Sequence, residues 1–329
     1  MIRKLLILAI VPVIILGASS CGPSVVKFPD NSLEKVIREE IGKPEGPILP
    51  SDLEAVVSLS ASLSGITDLT GLSYCTNLTE LYLARNQIRD LSPLSSLTKL
   101  TTLHLWGNKV TDISPLASLE NLTELHLARN QINDITPLNS LRNINKLHLA
   151  QNQISEISPL ASLDNLSKLY LSGNDISDIS PLASLPNLTE LWLDGNLITD
   201  VSPLTSLFNL QRLSLAKNMI SDISPLTSLR SLTQLSLFGN GIIDIAPLAL
   251  LPSITELWLD QNRISNISSL ASLSNLSKLW LNSNQISDVS PLASLMNLTL
   301  VNITKNPLDS TSKLVYIPQL TERGVKVFR

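Results

Sequence analysis

The chain is predicted to be an α/β solenoid: a stack of short strand-and-turn coils, closed at each end by a small cap. Three observations predict it. Asn recurs at 86, 108, 130, 152, 174, 196, 218, 240, 262, 284 and 306, always 22 residues apart. Around each stands one frame, Leu78-x-x-Leu81-x-Leu83-x-x-Asn86-x-Ile88, continued by Asp90-Leu91-Ser92-Pro93-Leu94-x-x-Leu97. An earlier, degenerate copy keeps Val56, Leu59, Ser64, Ile66 and Leu69 at the matching places. A constant period is the signature of repeats that cannot bury their apolar faces singly and must stack.

At the N-terminus, Arg3 and Lys4 precede the uncharged apolar stretch Leu5–Leu16, and Gly17-Ala18-Ser19-Ser20 follow it. This is the pattern of a secretory signal peptide over residues 1–20. Twelve apolar residues are too few to span a bilayer, which takes about 20. Ala18-Ser19-Ser20-Cys21 resembles a bacterial lipobox, with Ala18 where Leu is usual. The resemblance implies that Cys21 becomes the first residue and carries diacylglycerol on its sulfur; the alternative is plain secretion after Ser20. Two or three acyl chains anchor firmly where one does not. Residues 21–27 then form a tether of about 25 Å, at ~3.5 Å per residue, that keeps the protein close to its membrane. Gly22 after the cysteine fits an outer-membrane destination by the same resemblance.

Residues 28–55 read as an N-terminal helical cap. Asn31-x-x-Glu34 and Ser51-x-x-Glu54 are capping-box patterns. The first opens a helix through Ile41 with Leu33, Val36, Ile37 and Ile41 on one face; the second opens a short helix before Val56. The repeats fill residues 56–307, about 12 coils. Leu at the first, fourth and sixth positions, with polar residues between, marks a short strand with one buried face. The Asn follows where the chain turns, and its amide can satisfy backbone groups of neighbouring coils. Ser92 is then a good N-cap, and Pro93 a good first helical residue because it lacks only an N–H that would be orphaned there. The short return path suits a 3-10 turn better than an α-helix. Residues 308–329 make a C-terminal cap. In it, Asp309–Arg323 reads as a helix broken around Pro318, Gly324 ends it, and Val325–Phe328 adds a last edge strand.

The frame resembles the 22-residue leucine-rich repeat of internalin-like bacterial proteins, from about Leu53 to Arg329. That resemblance implies a curved right-handed coil with a parallel sheet on its concave face, short 3-10 turns on its convex face and helical caps. Ser269 in place of Pro and Asn266 in place of Asp are the departures, and neither threatens the fold.

Composition narrows function by exclusion. Two cysteines and three histidines exclude a disulfide scaffold and a zinc-finger array. The formal net charge of −4, more negative once Arg3 and Lys4 leave with a leader, offers no footprint for nucleic acid. No Gly-x-Ser-x-Gly, Walker or Rossmann pattern occurs. Asp90, Asp112, Asp134, Glu156, Asp178, Asp200, Asp222, Asp244 and Asp288 are periodic and stand just before a turn, a capping place. Cys75 takes the frame position of Leu97 and Leu119 and reads as core. Asn77-Leu-Thr79 and Asn187-Leu-Thr189 recur with the frame and read as structural rather than as glycan sites. No enzyme activity and no cofactor are expected.

The informative positions are those the frame leaves free. The third, fifth and seventh positions point out of the core onto the concave face. The fifth reads Tyr82, His104, His126, His148, Tyr170, Trp192, Ser214, Ser236, Trp258, Trp280 and Asn302, and the seventh adds Trp106 and Phe238. Fewer than one of the 12 aromatic residues would fall in these columns by chance; seven do, with all three histidines. Strands favour rings and repeats copy themselves, so part of this enrichment is structural. A row of exposed rings is otherwise adhesive, since Trp and Tyr dominate binding hot spots. Trp192 stands between Glu190 and Asp194, and Trp258 between Glu256 and Asp260, two aromatic-plus-carboxylate patches suited to Lys or Arg of a partner. The histidine column, with Glu80 and Glu124 beside it, makes a metal site conceivable. A pH-sensitive contact patch is the favoured reading, because stacked imidazoles resist charging together.

These readings converge on a monomeric, non-enzymatic module that grips a partner protein in its concave face while held at the envelope through Cys21. The partner-binding residues are then Tyr82, His104, Trp106, His126, His148, Tyr170, Glu190, Trp192, Asp194, Phe238, Glu256, Trp258, Asp260 and Trp280. A cell-wall glycan binder using the same rings, and a structural envelope spacer, are the alternatives.

Overall fold

Leu and Ile of the frame decide the architecture by having one place to go. The computed structural model describes residues 25–329. The expected leader, the lipidation site Cys21 and the first part of the tether lie outside the described residues. Thirteen three-residue strands form one sheet: β1 (Ser58–Ser60), β2 (Glu80–Tyr82), β3 (Thr102–His104), β4 (Glu124–His126), β5 (Lys146–His148), β6 (Lys168–Tyr170), β7 (Glu190–Trp192), β8 (Arg212–Ser214), β9 (Gln234–Ser236), β10 (Glu256–Trp258), β11 (Lys278–Trp280), β12 (Leu300–Asn302) and β13 (Lys326–Phe328). They pair in chain order, and the repeat register is strictly in step from β1 to β12, so Leu81 faces Leu103 and Leu103 faces Leu125. Leu81, Leu83, Ile88, Leu94 and their equivalents are sealed from solvent, forming one continuous aliphatic core along the stack. Cys75 is part of it, and burial pushes its thiol up to about 12, which removes it as a nucleophile.

Two asparagine ladders carry the polar backbone through this stack. The frame Asn is buried, and Asn196 is representative. Its Oδ1 accepts from Ile176 N at 3.1 Å, and its Nδ2 donates to Leu171 O at 3.1 Å and Leu193 O at 2.9 Å. A second column runs along the coils at Asn77, Asn121, Asn143, Asn165 and Asn187. Asn187 Nδ2, for instance, donates to Asp164 O of the preceding coil at 2.8 Å. The Asn-x-Ser/Thr triplets are therefore rungs of the fold.

The return of each coil is a 3-10 turn, as at Ser114–Ser118. Its cap is the acid and not the serine: Asp112 Oδ1 accepts from Ser114 N at 2.8 Å, and Ser114 Oγ donates to Asp112 Oδ2 at 2.9 Å. Ser114, like Ser92, is already the first residue of its turn and Ile113 holds the N-cap place, so the expected serine N-cap is corrected: the capping side chain comes from the acid two residues before the serine. A carboxylate accepts more strongly than a hydroxyl, and the Asx turn brings it to the N–H. Asn266 does the same for Ser268 at 2.9 Å, and Ser269 donates its hydroxyl to Ile245 O at 3.0 Å where other coils have Pro.

The caps depart from expectation by small steps. Helix α1 (Asn31–Glu40) is capped by Asp30, one residue before the expected Asn31. Asp30 Oδ1 takes Ser32 N and Leu33 N, while its Oδ2 takes Thr67 N at 2.7 Å and Thr67 Oγ1 at 2.9 Å. One carboxylate thus closes the helix and fastens it to the first coil. Glu34, released from the expected box, pairs with Arg38. Helix α2 (Pro50–Leu53) likewise starts a residue before Ser51; Pro50 sets its first φ, and Asp52 Oδ2 accepts from Leu49 N at 2.8 Å. Order begins before Phe28, since Val26 is buried and its N–H meets Ile48 O at 2.8 Å. At the far end, one helical run over residues 310–322 is irregular just before Pro318, as expected: a wide π-type turn at Ser312–Tyr316 leads into α3 (Ile317–Glu322), whose second residue is Pro318. Gly324 at φ 84 ends α3, and β13 closes the sheet.

A candidate binding face on the concave sheet

In-register pairing turns the fifth repeat position into a physical column. Tyr82, His104, His126, His148, Tyr170 and Trp192 stand on six successive strands. Their rings stack. His104 and His126 have centroids 3.9 Å apart, His126 and His148 4.0 Å, and His148 and Tyr170 3.8 Å at 9° between planes. Tyr82 closes one end edge-on at 4.9 Å, and Trp192 lies at the other, 6.3 Å from Tyr170. Trp258 and Trp280 form a second stack, 4.7 Å apart at 8°. Rings stacked along the solenoid present edges, not faces, to the concave solvent.

Between the two stacks the column is empty. Ser214 and Ser236 are too small to continue it, and the gap they leave is a cavity of about 160 Å³. Its walls are Trp192 and Trp258, and its floor is Leu213, Ser214 and Ser236, with Arg212 and Gln234 at the sides. Trp192 is the one ring of the column that is exposed, at 38%. The sequence shows both serines in the row, but only the three-dimensional column shows that they make a notch.

The carboxylates expected to flank the tryptophans are turned inward. Glu190 is 6% exposed and accepts from Tyr170 Oη at 3.0 Å, from Lys168 and from Arg212. Burial alone would raise its pKa, yet the Arg212, Lys168 and Tyr170 hydrogen bonds hold it below the usual range. Asp194 receives Ala216 N at 3.0 Å and the hydroxyls of Ser172 and Ser214. Glu256 pairs with Lys278 at 2.9 Å. Asp260 is buried, accepts from Asn282 N at 3.0 Å, and is pushed up to about 6 by desolvation. The free carboxylate patches expected around Trp192 and Trp258 are thus corrected. In β-strands these short acids reach neighbouring strands' donors, which a linear sequence does not show.

The seventh-position rings carry cations. Arg85 and Arg129 lie over Trp106, 5.3 and 5.4 Å from its centroid, and Lys217 lies 5.6 Å from Phe238. Sequence reading passed over these cations, although they share one frame position, directly before the frame Asn. That position is left-handed in every full coil, and Gly occupies it at 107, 173, 195 and 239.

At the histidines, Glu124 Oε1 accepts from His126 Nε2 at 2.6 Å and Lys146 Nζ at 3.0 Å, and lies 3.3 Å from His104 Nε2. Glu80 turns away to Tyr82 and Ser58. Desolvation, then the neighbouring imidazoles, drive His126 down to about 4 and His148 to about 3. The stack thus resists charging, as expected of neighbouring imidazoles, and any pH-sensitive response of these two rings lies on the acid side. Opposing burial, Lys146 and His126 hold the Glu124 carboxyl down at about 2.

Comparison with known proteins agrees with this architecture. A family profile described as leucine-rich repeats (two copies) matches nine overlapping segments covering residues 56–206 and 208–294. A search of curated proteins gave no match. Among solved structures, an internalin of Listeria monocytogenes, internalin F, is similar at 36% identity over 92% of this chain and 88% of that one, with a TM-score of 0.88. A leucine-rich-repeat protein of Leptospira interrogans matches at 23% identity over 79% and 74% of the two chains, TM-score 0.71. The functional domain of Listeria internalin J matches at 20% over 90% and 78%, TM-score 0.56. The last two show the fold alone. On the profile and the internalin match, this chain belongs to the leucine-rich-repeat family, and within it to the internalin-like bacterial proteins.

Proposed function

We propose that this protein is a non-enzymatic binding module at the bacterial cell envelope, anchored by lipid on Cys21, that grips a partner protein in its concave face. The observation that carries this reading is the notch between Trp192 and Trp258. The aliphatic core is complete without either ring, and two empty places in an otherwise stacked column leave room for bulky side chains of a partner. Desolvated aromatic pockets of this kind are where binding energy concentrates. Protein is favoured over glycan because, apart from the notch walls Trp192 and Trp258, the stacked rings offer edges, whereas a sugar platform needs a run of open ring faces. Arg85, Arg129 and Lys217 beside their rings, with the salt-bridged acids, add the mixed polar rim of a protein contact. Among the described residues no helix is long and apolar enough to cross a membrane.

The test is a pull-down from envelope extracts and target-cell lysates. The parent is compared with a Trp192→Ala/Trp258→Ala/Trp280→Ala variant of equal folded content. Proteins held by the parent and lost by the variant identify the partner and support the concave face. Equal recovery by both sinks the reading.

A further inference from the structure

The chain has three histidines, and β3, β4 and β5 bring all of them into one column. We propose that His104, Glu124 and His126 form a binding site for a divalent transition-metal ion of borderline softness, with Zn²⁺ the best fit. One ring nitrogen of each imidazole and an oxygen of Glu124 lie within 4.8 Å of one another, and both Nε2 atoms face Glu124 Oε1. Two imidazole nitrogens and one carboxylate oxygen are a donor set for Zn²⁺, whereas Mg²⁺ and Ca²⁺ want oxygen alone. The geometry is close to a first shell. Ligands at ~2.0–2.1 Å from a tetrahedral ion sit roughly 3.3–3.4 Å apart, and His104 Nε2 to Glu124 Oε1 is 3.3 Å.

A second observation points the same way. His104 Nε2 is buried, faces this carboxylate and makes no hydrogen bond. An unmet polar atom of this kind costs free energy that a bound ion recovers. The side chains of His104, Glu124 and His126 keep 25%, 32% and 18% of their exposure, so the cluster lies at the surface of the concave face, within reach of an ion once the rings adjust. Water or a partner's side chain can complete the shell there.

Three side chains must give way. His126 Nε2 donates to Glu124 at 2.6 Å, so binding moves that proton to Nδ1, leaving the ring neutral and Nε2 free for the ion. The rings of His104 and His126, stacked at 22°, must rotate apart for their lone pairs to converge. Lys146 Nζ, 3.0 Å from the same Oε1, is a built-in competing cation. His148 stacks on His126 and its Nε2 is likewise buried without a hydrogen bond, but it does not face Glu124 and stands outside the donor set.

The experiment is calorimetric titration of the untagged, purified protein with Zn²⁺ near neutral pH, with Co²⁺ as an absorbing surrogate and Mg²⁺ and Ca²⁺ as controls. Single-site Zn²⁺ binding is expected, weakened in each of His104→Ala, Glu124→Gln and His126→Ala by at least the ~10–100-fold typical of losing an outer-shell partner. It is expected to tighten in Lys146→Gln, to change little in His148→Ala, and to be absent with Mg²⁺ and Ca²⁺. Nitrogen NMR of the parent, which needs no variant to fold, should show two of the three imidazoles shifting at Nε2. Zn²⁺ affinity unchanged in a His104→Ala/His126→Ala variant, or no Nε2 shift at saturation, overturns the site. Neither result bears on the notch between Trp192 and Trp258, which the pull-down tests separately.

Discussion

Asn196 and Asp260 show how much of this fold rests on single buried polar groups. Asn196 joins its own coil to the preceding one through three hydrogen bonds of one amide. Asn196→Ala strands Ile176 N–H away from water, at about 1–3 kcal/mol, while Leu171 O and Leu193 O each keep one donor, from Asn174 and Asn218. A loss of about 1–3 kcal/mol is therefore expected from urea unfolding, whereas Asn187→Ala, on the exposed ladder, should cost less. Asp260 works in the opposite sense, because burial raises its carboxyl from 3.8 to about 6. Between those values the folded chain holds a proton that the unfolded chain has released. Stability therefore falls as pH rises through this window and stays lowered above it. Asp260→Asn keeps an acceptor for Asn282 and removes the charge. It should match the parent below about pH 4 and exceed it by about 1–2 kcal/mol above pH 6, after allowance for solvent screening. Thermal melts of both proteins at the two pH values check this, and a constant difference across pH would contradict it.

At the scale of elements, the coils were legible and their ends less so. A period of 22 residues repeated eleven times over-determines strand, turn and core, because each coil's Leu set has only its neighbours to pack on. The caps lack that redundancy. Asp30 could not be recognised as the cap of α1 from local spacing, since its second oxygen is fixed by Thr67, 37 residues on. The same limit hid the inward turn of Glu190, whose partners Lys168 and Arg212 lie one repeat away on either side. The aromatic column was legible as enrichment, while its stacking and its notch needed the register. Because Asp30 links α1 to the first coil, Asp30→Ala should cost about 2 kcal/mol, a helix cap plus a coil contact. The loss should be local. Hydrogen exchange is expected to rise in α1 and β1 and to stay unchanged beyond β4. Burial pulls the Asp30 carboxyl upward, but Thr67, Leu33 and Asp68 donate to it and hold it below its ordinary value. Its stabilisation is thus present above about pH 4 and fades as acid protonates it. Gly71→Ala tests the same junction, since a Cβ there would stand 2.6 Å from the Phe28 ring at a φ of 102°.

For the whole molecule, the stack makes shape and function separable. Each coil contacts only its neighbours, so stability is close to a sum over coils and interfaces. Residues 201–222 are one period, and their removal joins Asp200 to Ile223 with the frame intact. The shortened chain should fold with its sheet one strand shorter, because every remaining Leu and Asn still meets its equivalent. The notch will not survive, however. Losing Arg212 and Ser214 brings Trp192 one strand closer to Trp258, leaving one empty place in the column where there were two. If the notch is what seats the partner, the deletion should abolish capture while circular dichroism and cooperative melting persist. Ser236→Trp makes the same test without shortening anything: a third ring continues the Trp258–Trp280 stack into the gap, blocking the partner's side chain and leaving the core untouched. Capture that survives both changes would place binding elsewhere on the solenoid. Loss in both, with folding kept, would tie recognition to the two missing rings of β8 and β9.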